Sequence, residues 1–199
     1  MPSSPSTELY TLGKGVLYIA EFSGGTHGAF EDLGNAPMVQ VGIAKEKLPH
    51  FSSRSGTKEK DKIVTVERSY LVNFDLDEIS KQNLTRFVSG TRSGQHIQAL
   101  TDAGVAKEYA LRFVADNPEG DNARWEFHKG VLSARGEVNL IGEEWMNLPF
   151  VFEGLADRVN EASSPFFDIY QSTTTSTSST ASTTSTLSST SSSTTTTTS

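Results

Sequence analysis

The chain has 199 residues, 35% of them hydrophobic and 21% charged, with no Cys and a formal net charge of −7. The missing Cys removes disulfides, zinc-thiolate sites, iron-sulfur clusters and thiol nucleophiles together. The acidic balance argues against gripping nucleic acid through its phosphates, which takes a basic face.

Residues 1–11 are rich in Pro and Ser and read as a flexible arm, with no basic run and apolar stretch of a secretion signal. No stretch approaches the roughly 18 apolar residues needed to span a bilayer as a helix. A soluble protein made in a cytosol is the expectation. Val16 to Phe22 is short, β-branched and aromatic and closes on a glycine-rich turn at Ser23 to Gly28, so a strand is predicted there. Met38 to Ala44 alternates Val39, Val41 and Ile43 against Met38, Gln40 and Gly42, a second strand.

From Lys45 to Lys62 the alternation stops, and Pro49, Gly56 and a dense set of charges predict a long loop. Six Lys and Arg stand there against three Asp and Glu, a net of +3, which leaves −10 on the rest of the chain. A basic loop on an acidic body is suited to head-to-tail self-docking, although charged loops are more often simply solvated.

Ile63 to Phe74 gives the clearest alternation, with Val64, Val66, Tyr70, Val72 and Phe74 on one face and Thr65, Glu67, Ser69 and Asn73 on the other. Asp75, Asp77 and Glu78 then resemble a helix start, and Ile79, Leu84, Phe87 and Val88 recur at helical spacing, predicting a helix over Leu76 to Ser89. Further strands are predicted at His96 to Leu100, Lys107 to Val114, Arg124 to Leu132, Glu137 to Ile141 and Met146 to Phe152, with turns at Asp102-Ala103-Gly104 and Asn117-Pro118-Glu119-Gly120. The fold class is therefore mainly β, an antiparallel β-sandwich with one flanking α-helix, occupying residues 12–171. Residues 172–199 are Ser or Thr everywhere except Ala181 and Leu187, a low-complexity tail that cannot bury enough surface to offset the entropy of ordering.

Catalytic signals are weak. His27, His50, His96 and His128 lack metal-ligand spacing. Glu143-Glu144 has no partner constellation, and the acidic trio Asp75, Asp77 and Glu78 has a helix to cap. Gly13-Lys14-Gly15 runs into a strand where a phosphate loop would run into a helix. Trp125, Phe127, Trp145 and Phe150 read as core aromatics. Neither an enzyme, a metal nor a cofactor is indicated, so function is sought in surfaces.

Four segments, in this order, resemble the major tail tube protein of long, non-contractile-tailed bacteriophages: Leu12-Gly13-Lys14-Gly15-Val16-Leu17-Tyr18; Asp32-Leu33-Gly34-Asn35-Ala36-Pro37; Leu48-Pro49-His50-Phe51-Ser52-Ser53-Arg54-Ser55-Gly56 with Lys58 and Asp61; and Leu76-Asp77-Glu78-Ile79-Ser80 with Asn83-Leu84. The resemblance covers Leu12 to Gly90. It implies a structural virion protein whose subunits form hexameric rings, each giving strands to a shared β-barrel, that stack into a conduit for DNA ejection. Its partners would be other copies of itself, a tape measure protein in the lumen, tail terminator and tail-tip proteins, and double-stranded DNA in transit, with no membrane. Carried onto this chain, the segment reaching into the adjacent ring would hold Leu48, His50, Arg54, Lys58, Lys60 and Asp61.

A barrel of about 24 strands, four from each of six subunits, would enclose a backbone diameter near 48 Å at about 4.8 Å spacing and about 40° tilt, wide enough for duplex DNA. An acidic lumen would let phosphates slide without sticking. Glu67, Ser69 and Asn73 are the lumen-facing candidates. The competing expectation is a surface-displayed β-sandwich binding module on a Ser/Thr-rich stalk.

Overall fold

A computed structural model describes residues 13–54, 56–101, 106–117, 121–143 and 145–172. The N-terminal arm, the tail beyond Ser172, Glu144 and the turns predicted at residues 102–104 and 117–120, Asn117 apart, lie outside the described residues, whereas the turn predicted within residues 23–28 forms at Gly24 and Gly25. In chain order the elements are β1 (Gly15–Ser23), β2 (Thr26–His27), β3 (Glu31–Asp32), β4 (Met38–Ser52), β5 (Glu59–Leu76), α1 (Lys81–Phe87), β6 (Thr91–Ser93), β7 (His96–Gln98), β8 (Glu108–Ala115), β9 (Asn122–Ala134), β10 (Leu148–Gly154) and β11 (Phe167–Ser172).

The protein is mainly β, antiparallel, with one helix among the described residues. The strands of its main sheet run in the order β2-β1-β8-β9-β10-β5-β4, with β3 beside β1 and β11 beside β9, and β6 and β7 form a separate hairpin. Hydrogen bonding thus joins the core strands in a single sheet. In a flat sheet β1 and β5, four positions apart, would lie about 19 Å from each other. Here the Leu33 N–H donates to the Leu17 carbonyl of β1 at 3.0 Å, and two residues later the Asn35 carbonyl accepts from the Asp77 N–H, just past β5, at 3.2 Å. The three residues from the Leu33 N–H to the Asn35 carbonyl reach at most about 10 Å, so with the two hydrogen bonds the Leu17 carbonyl and the Asp77 N–H lie within about 16 Å, less than the flat spacing, and the sheet is bent around its own inner face.

That inner face is the core: Leu17 and Ile19 of β1, Tyr70, Val72, Phe74 and Leu76 of β5, Leu111 of β8, Phe127 and Leu132 of β9, and Leu148, Phe150 and Phe152 of β10. Glycines make room for its large rings. Gly154 pairs with Gly130 across β10 and β9, and a Cβ on either would run into the ring of Tyr70 or Phe152. Tyr70 meets Phe127 at 5.7 Å and Phe167 at 5.3 Å between ring centroids. Its hydroxyl lies 3.1 Å from the Phe166 carbonyl, and burial holds its pKa well above the usual tyrosine value.

Several expectations are corrected. The helix starts at Lys81, capped by the Ser80 hydroxyl, which accepts from the Asn83 N–H at 3.0 Å. Leu76 and Asp75 instead stay in the sheet opposite Leu148 and Pro149, because a ladder on a buried strand outcompetes a solvent-facing helical turn. Asp75 pairs with Arg135 at 2.7 Å rather than capping a helix. Glu137 to Ile141 forms no strand, and Ile141 is 97% exposed. Trp145, expected in the core, is 91% exposed, whereas Phe127 and Phe150 are buried and Trp125 packs at the core margin. Strand β11 adds an element that the sequence reading left out.

The loop expected over Lys45 to Lys62 is largely strand. β4 continues to Ser52 and β5 begins at Glu59, so only the tip around Arg54 is a turn. Alternation is the mark of a strand with one buried face, and residues 45–52 and 59–62 are mostly exposed on both, so they carry no such pattern.

Two changes test this packing. Gly154→Ala should cost about 1 to 3 kcal/mol in urea unfolding, since the Tyr70 ring has no space to retreat. Asn83→Ala should cost about 1 to 3 kcal/mol, because the buried Asn83 amide satisfies the Leu33 carbonyl at 2.8 Å.

Candidate functional site: a projecting hairpin

β5 pairs with β10 only from Leu71 to Leu76; from Glu59 to Tyr70 its one partner among the described residues is β4. The hairpin therefore leaves the sheet as a two-stranded ribbon. From Ser69 to Glu59 it extends about 33 Å at the usual rise per residue. β4 is also the last strand of the sheet order, so its outer edge is unpaired among the described residues. An isolated two-stranded ribbon is marginal in water, and an open edge invites strand pairing.

The ribbon surface is both apolar and basic. Ile43, Leu48, Phe51, Ile63, Val64 and Val66 are 47 to 63% exposed. Register places Leu48 opposite Val64, Pro49 opposite Ile63, His50 opposite Lys62 and Phe51 opposite Lys60. Irregularities fall between Glu46 and Lys47 and between His50 and Phe51, leaving Val66 and Asp61 as the extra residues of β5. The first bulge turns Val64 to the face opposite Tyr70, so the predicted apolar face running from Val64 through Phe74 is broken at Val66. The second lets the Asp61 carboxylate meet His50 Nδ1 at 2.6 Å, and that hydrogen bond holds the Asp61 pKa below the usual carboxylate value.

Of the predicted contact residues, the structure thus joins His50 and Asp61, places Leu48 and Lys60 on facing strands, and sets Arg54 and Lys58 at the tip, exposed. Glu67, Ser69 and Asn73 lie on the β5 face away from the core, opposite Glu46, Ala44 and Gln40. Leu71, 42% exposed, shares that face, so it is polar with one apolar interruption. At the foot of the ribbon Glu46 stands opposite Glu67, and Lys45 opposite Arg68. Like charges directly across a sheet are unfavourable. Sequence reading missed this clash, because pairing across strands is set by register.

The remaining resembling segments meet elsewhere. Asn35 donates its side-chain amide to both Asp77 carboxylate oxygens, at 2.8 and 2.6 Å, and Gly34, with φ of +87°, backs onto Glu78. Gly13 to Gly15 and Asn35 to Pro37 line one groove of about 460 Å³ with Val39, Val41 and Trp125. The junction is mechanical, tying the β3 flank to the end of β5; it brings no nucleophile beside a base. His27 stacks tilted on Phe30, His96 lies exposed on β7, and Glu143 is exposed.

Replacing Leu48 and Val64 together by Ser should leave the urea stability of dilute protein within about 0.5 kcal/mol of wild type, since both side chains are already in water.

Residues 10–95 match the model of a family described as "Protein of unknown function UCP028589". That span, to which the chain is similar, contains β1 to β6, the whole projecting hairpin and all four of the segments singled out in the sequence. No curated protein matches the chain.

Proposed function

We propose that the chain is the repeating subunit of a protein tube, a major tail tube protein that stacks as hexameric rings to conduct DNA out of a virion. The single observation that carries this reading is the hairpin, whose apolar and basic surface and open β4 edge have no use in an isolated copy. A second copy supplies what they lack. Its edge strand extends the ladder, its acidic body meets the basic excess of residues 45–62, and burial of Leu48, Phe51 and Ile63 stabilises a ribbon that is marginal alone.

In this reading the bent sheet is the body of one tube subunit, with two-layer, sandwich-like packing, and its strands continue into a barrel shared around the ring. Glu67, Ser69 and Asn73, on the polar face of β5, line the lumen, where the Glu46 and Glu67 carboxylates repel phosphate. Arg54, Lys58, Lys60 and the His50–Asp61 pair sit where one ring meets the next.

Negative-stain electron microscopy across concentration and salt tests it. Wild type should give rings or tubes with a central hole on the order of 40 Å. Arg54→Glu with Lys58→Glu and Lys60→Glu should abolish stacking while the melting curve of the monomer is unchanged. Tubes of normal length from the triple variant would contradict the docking role, and compact monomers of wild type even with a tail-tip complex added would overturn the assembly.

A further inference from the structure

Away from the hairpin, His128 of β9, Glu161 of the β10–β11 connection and Asp168 of β11 bring one imidazole nitrogen and two carboxylate oxygens within 4.8 Å of one another. The His128 side chain is 10% exposed, and its Nε2 is buried without a hydrogen-bond partner. A buried ring nitrogen left unpaired costs free energy, so its position calls for a ligand. Asp168 Oδ2 lies 3.5 Å away, too far for a good hydrogen bond. That separation is the one a shared cation would produce: with about 2.1 Å from metal to nitrogen or oxygen, tetrahedral geometry sets neighbouring ligand atoms about 3.4 Å apart. Among the described residues neither Glu161 nor Asp168 forms an ion pair with Lys or Arg, so a cation would also neutralise two adjacent carboxylates. The Tyr170 hydroxyl, 3.4 Å from Asp168 Oδ2, completes the polar surroundings.

We infer that His128, Glu161 and Asp168 form a binding site for a divalent cation of the zinc class, with water completing its coordination. A neutral imidazole with two carboxylates suits zinc better than magnesium or calcium, which prefer oxygen alone. The connection between β10 and β11 is already shaped for it. Asp157 accepts from the Asn160 N–H and side-chain amide, its N–H donates to the Pro165 carbonyl at 2.7 Å, and the Glu161 N–H donates to the Asp157 carbonyl at 3.1 Å. Glu161 is thereby held over the β9–β11 pair, and the cation would clip this connection to the sheet. The inference stands whether or not the chain forms tubes.

Isothermal titration calorimetry of the full chain, stripped with a chelator and titrated with zinc chloride near pH 7.5, tests the site. One zinc per chain should bind and raise the melting temperature, and Glu161→Gln and Asp168→Asn should each weaken binding at least about tenfold. Glu161 is a connection residue, so its variant should fold even where His128→Gln, which removes a mostly buried ring, does not. His50→Ala, at the hairpin His50–Asp61 pair, should leave affinity as in wild type. No saturable zinc, wild-type affinity in both carboxylate variants, loss of binding in His50→Ala, or tighter binding of magnesium or calcium than of zinc would each overturn the assignment.

Discussion

The pairing of β4 with β5 does two different jobs along one continuous ladder. Near its base, Val39 packs against the core opposite the buried Phe74, and the register set there is transmitted outward to Ser52 opposite Glu59. Because β10 also holds β5, a slip of one residue would turn Val39 of β4 away from the core, so the buried end fixes the exposed end. The position of every basic and apolar group on the projecting ribbon follows from that constraint.

The core that enforces the register is itself arranged around the absence of side chains. With no Cβ at Gly154 or Gly130, Tyr70 and Phe152 lie flat over neighbouring backbone, and the aromatic cluster reaches Phe127 and Phe167 without a gap. On the other side of the core, the Asn35–Asp77 and Asn83–Leu33 hydrogen bonds tie the segment after β3 to the end of β5 and to α1. Three of the four short segments that stand out in the sequence belong to this junction or line the groove beside it. They tie the β3 flank to the core end of β5, past Leu76.

The charge pattern has the opposite character. Inside the body, Arg112 and Arg124 both bridge to Glu126, and Lys129 to Glu108, so opposite charges are satisfied within the chain. On the ribbon, Lys45 faces Arg68 and Glu46 faces Glu67, and apart from His50 with Asp61 no ion pair forms there among the described residues. A surface that repels itself across the ladder while exposing Leu48, Phe51 and Ile63 is at odds with a solitary folded state, the kind of local conflict that marks functional surfaces.

Sequence alone determined the β class, the strands with one buried face and the presence of a helix after β5, because burial on one side writes a two-residue period into a strand and a 3.6-residue period into a helix. It also located the basic excess of residues 45–62 and the segments that meet at Asn35 and Asp77. It did not show that the basic stretch is a ribbon, since a strand wet on both faces has no period to read, nor where α1 begins, since β10 supplies the ladder that keeps Asp75 and Leu76 extended. Strand β11 escaped because its signal, Phe167 and Ile169 flanking Asp168, is only a few residues long. The cross-strand charge clashes and the gathering of His128, Glu161 and Asp168 were decided by register and by the fold of the β10–β11 connection. These depend on contacts between residues far apart in the chain, and one-dimensional spacing holds no record of them.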